Sequence, residues 1–419
     1  MKFNPFESKP IKMEKCFEDW QKLSPGPYDK NNVDPYTRVR CILMNGTEFE
    51  MNWFMHQFAR HTDNNDLRRD LAMLRRSEQQ QQKKISALKP IDESILETTI
   101  GYEQLAVDLT AVMARREPDA YVRNTLDFAL LEDFDHLYRY SDLLEMEHGV
   151  RGEMLVGGYT EIMPGRPTIS EHRHPHDDVR RSINKSADPL TKLQTAIITA
   201  AEQQTMNYYM NVGQFYTSEI GRKLYAEIAM IEEQHVTQYE SLMDPTKTWL
   251  ECLLEHEYTE CYLYYSMMTD ETDERIRKIW EKHLEYEIAH LHMAAGMLKK
   301  YEKKEWQQVI PDGTFPEILR FNSQAAKNRE YIRNVLKGTV QNTAMLEDFV
   351  PVSTLPEDYE FFRYNGTVNK TAANVASHKV IDNYINEFGE DYRFETDDHP
   401  IKALRNRKTD NTDVGRIRQ

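Results

Sequence analysis

Residues 228–235 read Ile228-Ala229-Met230-Ile231-Glu232-Glu233-Gln234-His235. An acid and a histidine three residues apart share one face of a helix. Here that face also carries Tyr225, Ile228, Val236 and Tyr239, so both polar groups stand on an apolar stripe. A carboxylate or imidazole in such a place must be paired, neutralised or bound to metal, because burying a lone charge is too costly. Thirty residues before Glu232 stands a further acid, Glu202.

The interval recurs. Glu103 precedes Asp133 by thirty residues, with His136 three beyond, and Glu257 precedes Glu287 by thirty, with His290 three beyond. Each set has turn residues near its midpoint: Glu117-Pro118-Asp119, Thr217-Ser218 and Thr269-Asp270-Glu271-Thr272. A helix that climbs fifteen residues and one that descends fifteen return to the same height, roughly 22 Å from the turn at 1.5 Å per residue. Each set therefore predicts two carboxylates and an imidazole at one level of a helical hairpin, the way a helix bundle builds a site for two metal ions. The acid-x-x-His pair alone is weak. About two would arise by chance from 69 acids and 14 histidines, and Glu145/His148 and Glu171/His174 lie outside the pattern. The partner acid at a constant interval is the stronger signal.

Composition agrees with helices. Hydrophobic residues make up 40% of the 419, enough for a real core, while the 16 glycines fall below the roughly 7% of an average soluble protein. A formal charge of −16 argues against nucleic-acid or anionic-membrane partners for the body of the protein. Neither a signal-like N-terminus nor an apolar run of eighteen residues is present, so no membrane partner is expected. Cys16, Cys41, Cys252 and Cys261 form no Cys-x-x-Cys pair, and a cytoplasmic protein with free thiols is the simplest expectation.

Apolar spacing predicts six long helices near 95–116, 119–147, 190–216, 219–243, 246–268 and 273–300, with Asp92-Glu93-Ser94 opening the first. Before them come an irregular arm to about residue 40 and two helical stretches between Glu48 and Leu88, in which Gln79 to Gln82 read as an exposed face. The Gly- and Pro-containing stretch from Gly149 to Pro189 can carry the chain from one end of a bundle to the other. The tight Asp244-Pro245 connection instead predicts simple up-and-down packing of the third hairpin on the second. Helices are also expected near 323–338 and 373–388, then a basic tail. The expected division is 1–94, an arm and helical extension; 95–300, a helical bundle; and 301–419, a C-terminal extension.

At Glu103/Asp133-x-x-His136 and Glu202/Glu232-x-x-His235, joined by a long crossover, the chain resembles the ferritin-like di-iron carboxylate superfamily. The segment 228–235 is similar to the fourth bundle helix of rubrerythrin-like members. The resemblance spans about 95–300 and implies an all-α, ferritin-like bundle, with Glu257, Glu287 and His290 on an added hairpin. It also implies two iron ions, with manganese as the alternative. Glu103 and Glu202 would be single-helix carboxylates, Asp133 and Glu232 bridging ones, and His136 and His235 terminal nitrogen ligands. Asp133 stands where glutamate is usual, with Glu132 as a nearby substitute. The third set would replace the first, build a second site, or be a structural relic.

The resemblance further implies an oxidoreductase activating O2 or H2O2. The alternatives are an iron-binding or ferroxidase protein without organic substrate and a metal-free helical scaffold. Without a rubredoxin-type cysteine pattern, a peroxidase would need an external electron donor, and assembly with further copies of the chain is compatible with the family. Tyr140 and Tyr239 each follow a proposed histidine ligand by four residues, where ferritin-like radical enzymes place a redox tyrosine; the bland alternative is two core aromatics. The loop from Glu171 to Asp178, with His172, His174 and His176, matches surface loops that bind divalent metals weakly. Cys261 reads as a small buried side chain.

Overall fold

Acidic and hydroxyl caps start the long helices. The computed structural model describes residues 3–162, 165, 171–339, 342–344, 349–351 and 354–367. In chain order the helices are α1 Pro35–Arg60, α2 Asn65–Ser86, α3 Ile95–Arg116, α4 Ala120–His148, α5 Gly152–Val156, α6 Pro189–Val212, α7 Glu219–Glu240, α8 Trp249–Asp270, α9 Glu274–Glu302, α10 Ala325–Thr339 and α11 Glu360–Thr367. Ser94 and Glu97 close a capping box at α3, and Thr248 and Glu251 do the same at α8. Asp34, Asn64, Asp119, Ser218 and Asp273 accept backbone N–H bonds at the starts of α1, α2, α4, α7 and α9. Gly149 ends α4 with a φ of 63°, a left-handed conformation natural to glycine.

The fold is all-α, and the six expected long helices are present within a few residues. Three features differ. α1 begins at Pro35, inside the stretch read as an arm, because Asp34-Pro35 makes a favourable helix start. Gln81 is buried although it belongs to the glutamine run expected at the surface. A short antiparallel pair, Asn342–Ala344 with Phe349–Pro351, appears where no strand was expected. The helix expected near 373–388 lies outside the described residues.

The compact units cut across the linear division expected from sequence. One contains 1–93, 183–204 and 243–322; the other contains 94–182, 205–242 and the described residues from 323 onward. The four hairpins are therefore nested: α8–α9 belongs with α1–α2, and α3–α4 belongs with α7. The boundary after Leu242 falls in the loop that carries Asp244-Pro245, so the third hairpin is counted with α1–α2 and not with the second. Helix α6 runs unbroken through residue 204, its two parts counted with different units.

In the first unit α1 packs on α2 and α8, and α9 on α8 and α2. The arm adds short 3-10 turns, which seat Cys16 beside Tyr286 and Ala289 of α9. In the second unit α3 packs on α4, α4 on α7, and α10 on both α3 and α4. Among the described residues no helix is long and apolar enough to cross a membrane.

Candidate metal centres

The equal interval has its expected consequence. Glu257 stands 13 residues before the end of α8 at Asp270, and Glu287 stands 13 after the start of α9 at Glu274. Asp133 and Glu232 likewise lie 13 residues into α4 and α7. Rise per residue alone thus sets the depth of each acid within its hairpin.

In the second unit Glu103, Asp133, His136, Glu232 and His235 come together, all fully buried. Nδ1 of His136 is 3.0 Å from one oxygen of Glu232, and Nδ1 of His235 is 3.2 Å from the other. The same nitrogen of His235 lies 3.2 Å from Asp133, and the two rings are 6.0 Å apart. Metal-capable atoms of Glu103, His136 and Glu232 fall within 4.8 Å of one another. Tyr209 donates a 2.5 Å hydrogen bond to Glu103. Glu202 is buried on α6, two turns ahead of Tyr209 on the same helix.

The far nitrogens of both imidazoles face other carboxylates. Nε2 of His235 is 2.7 Å from Glu132, and Nε2 of His136 is 3.8 Å from Glu171. Arg173 donates to Glu132 and, at 2.9 Å, to Asp178; Arg139 donates to Glu171 at 3.0 Å. The carboxylate of Glu132, at hydrogen-bond distance from Nε2 of His235, holds the proton there and turns Nδ1 toward Glu232 and Asp133, the usual support of a metal-binding histidine. Glu132 therefore backs His235, a different role from the ligand substitute expected of it. The arginines compensate these supporting acids. Burial, then Arg139 and His235, holds the His136 imidazole well below its ordinary pKa, so it is neutral, as a ligand must be. Burial pushes Asp178 up to about 6 despite Arg173.

Arg173 gives a direct test. Arg173→Ala takes from buried Glu132 and Asp178 the guanidinium that pairs with both, which should destabilise the protein by about 3–5 kcal/mol. Loosening the support of His235 should also weaken metal binding by roughly 10- to 100-fold. Urea unfolding and metal titration measure the two effects separately, and unchanged values would remove the role.

In the first unit Glu257, Glu287 and His290 meet two acids from the α1–α2 hairpin, Glu48 and Glu78. Glu48, Glu78 and Gln81 repeat the thirty-plus-three interval with glutamine in place of histidine. A search that required histidine passes over this set, although the interval was there to be found. Nδ1 of His290 lies 2.6 Å from Glu78, 3.4 Å from Glu287 and 4.0 Å from Glu257, while Nε2 meets Ser77 at 2.9 Å. Glu260, one turn after Glu257, joins Glu48 and Glu78 in a second grouping. Gln81 donates to Glu48 at 2.8 Å and to Glu287 at 2.5 Å, and Tyr264 donates to Glu48.

None of these five glutamates is ion-paired to a lysine or arginine among the described residues. Burial, then the charges of neighbouring glutamates, holds Glu48, Glu257 and Glu260 well above the ordinary carboxylate range and also raises Glu287. Burial pulls His290 down, but Glu78 and Glu287 outweigh it and raise its pKa well above the usual value. Buried acids brought this close without a lysine or arginine beside them form a donor set that fits divalent cations.

The two tyrosines singled out from sequence are buried in the second unit. Tyr239 lies 6.4 Å from His235 between ring centres; Tyr140 packs on Tyr209 and Tyr225 at 5.3 and 4.9 Å. Tyr209 and Tyr264, which lie outside the His-plus-four pattern, donate hydrogen bonds to the candidate ligands Glu103 and Glu48. Cys261 is buried, as expected. In the histidine loop, His174 and His176 come within 3.4 and 3.9 Å of Glu360 on α11, with His176 exposed. Comparison with protein-family models, curated proteins and solved structures found no match.

Proposed function

We propose that the second unit is a non-haem dinuclear centre of an oxidoreductase that reduces O2 or H2O2. Glu103, Asp133, His136, Glu232 and His235 would hold two iron ions, or manganese in their place. The observation that carries the reading is Glu232 offering one oxygen toward each of two imidazoles, itself and both rings fully buried.

Carboxylates and imidazoles suit Fe(II) and Fe(III) and leave coordination positions open. When bound, the metal pair supplies the electrons and the Lewis acidity for oxygen or peroxide reduction. The protein's own contributions are distinct. Glu132 holds the tautomer of His235, and Arg173 and Arg139 pair with Glu132 and Glu171. The buried walls exclude bulk water. Tyr209 fixes one oxygen of Glu103 through its hydroxyl proton. Tyr140 and Tyr239 are the residues proposed to relay an electron, and an external donor completes a reductive cycle.

Anaerobic Fe(II) titration followed by oxygen tests the reading. Two irons should bind at this centre and a near-ultraviolet charge-transfer band should grow on oxidation. Turnover of peroxide or of an organic co-substrate marks an enzyme, whereas oxidation of iron alone marks a ferroxidase. A chain that retains no iron would leave a helical scaffold. The Tyr239→Phe variant should slow electron delivery after oxygen exposure; identical oxygen kinetics would return Tyr239 to the core aromatics.

A further inference from the structure

The glutamates of the first unit fall into two groups that share Glu78. Glu78, Glu257, Glu287 and His290 converge with one ligand atom each within 4.8 Å of one another, and so do Glu48, Glu78 and Glu260. The first group has one imidazole nitrogen. The second has none, because Gln81 stands where each of the other three hairpins carries histidine.

A second observation points to ligands in this pocket. Neither carboxylate oxygen of Glu257 or of Glu260 has a hydrogen-bond partner among the described residues, and the two side chains are 0% and 1% exposed. Buried acids in native proteins are paired, protonated or bound to cations. Among the described residues His290 is the one imidazole in contact with the five acids, and His283 is engaged by Tyr264 at 3.1 Å. One imidazole cannot balance five carboxylates; two divalent cations nearly can.

We propose that the first unit holds its own pair of divalent cations at two chemically unequal positions. Iron takes the position beside His290. The position made of Glu48, Glu78 and Glu260 discriminates less against manganese(II) and takes the larger share of it. The reason is donor type: imidazole favours Fe(II) over Mn(II), whereas carboxylate oxygens alone discriminate least and suit the harder ion. His290 is oriented for this by Ser77 on Nε2, which turns Nδ1 to the acids. The inference does not depend on the activity proposed for the second unit.

The test uses the full chain, stripped by chelator and equilibrated without oxygen against equal free Fe(II) and Mn(II). Total metal is measured by mass spectrometry, and each position is assigned by anomalous scattering at the iron and manganese edges. The Mn-to-Fe ratio at Glu48–Glu78–Glu260 should exceed that beside His290 by about tenfold or more. Gln81→His should bring that ratio down toward the imidazole-bearing positions. Glu260→Gln should lower manganese occupancy by about tenfold while iron beside His290 remains. Equal ratios at the two positions, or an unfilled first unit in both wild type and Gln81→His when the second unit is filled, would overturn the inference. Filling of the first unit alone would support it while sinking the reading given for the second.

Discussion

Glu232→Ala should empty the second unit of both metal ions at once. Each oxygen of Glu232 faces a different imidazole, at 3.0 and 3.2 Å, so one substitution removes a donor from both positions. Loss of a supporting residue costs roughly 10- to 100-fold in metal affinity, and loss of a shared ligand should exceed the upper end of that range. Stability should respond as well. A ligand at about a hundred times its dissociation constant stabilises the folded state by about 2.7 kcal/mol, so the thermal shift produced by iron at this centre should vanish. The control is His235→Ala, which removes a donor from one position only and should leave part of the iron in place. Calorimetry with and without chelator, together with metal analysis, distinguishes these outcomes. Glu232→Ala protein that still binds two ions here would sink the assignment of Glu232 as the bridging acid.

The second large effect is a reversal of pH dependence by metal. In the metal-free first unit, Glu48, Glu257, Glu260 and Glu287 have folded-state pKa values above the ordinary glutamate value, and His290 lies above the ordinary histidine value. A group raised in the folded state contributes stability that is complete below its unfolded pKa and lost as pH climbs through its folded one. The window opens near the ordinary glutamate value of 4.5 and extends upward through the raised values. Each such acid that keeps its proton in the fold while losing it in the unfolded chain costs roughly 1.4 kcal/mol per pH unit. Chelator-treated protein should therefore lose stability between about pH 5 and 8.

Metal inverts the sign, because ligands must shed protons to bind it and each proton released makes binding tighter as pH rises. Protein saturated with divalent metal should grow more stable over the same interval. The depressed His136 and His283 oppose the metal-free trend: each contributes stability above the unfolded histidine pKa and loses it in acid. Denaturant midpoints measured with and without chelator at several pH values decide the matter. Parallel curves would mean that the five glutamates share their protons without any cation.

Much of the candidate chemistry was written in residue spacing. The caps at Ser94 and Thr248, the apolar stripe around Glu232 and the thirty-residue interval are local features, and their meaning follows from helix geometry. Gln81 shows where local reading stopped. Its side chain meets Glu48, 33 residues away, and Glu287, 206 residues away, and nothing in the neighbouring glutamines distinguishes it from an exposed one. Arg173 is similar: a loop residue whose partner Glu132 is 41 positions distant. Glu132 was visible as an acid beside Asp133, but its task depended on which nitrogen of His235 it would meet.

Helix class, helix limits and the depth of each acid follow from the chain's own order of residues, because rise per residue and capping act over a few positions. Which hairpins would share a core could not follow from that order. Every hairpin here offers an apolar face with acids at the same depth, and any two could close over a pair of cations. Long-range packing chose the outer pair and the inner pair. It thereby gave the hairpin of Glu257, Glu287 and His290 a partner carrying Glu48, Glu78 and Gln81 instead of leaving it as an addition to another bundle.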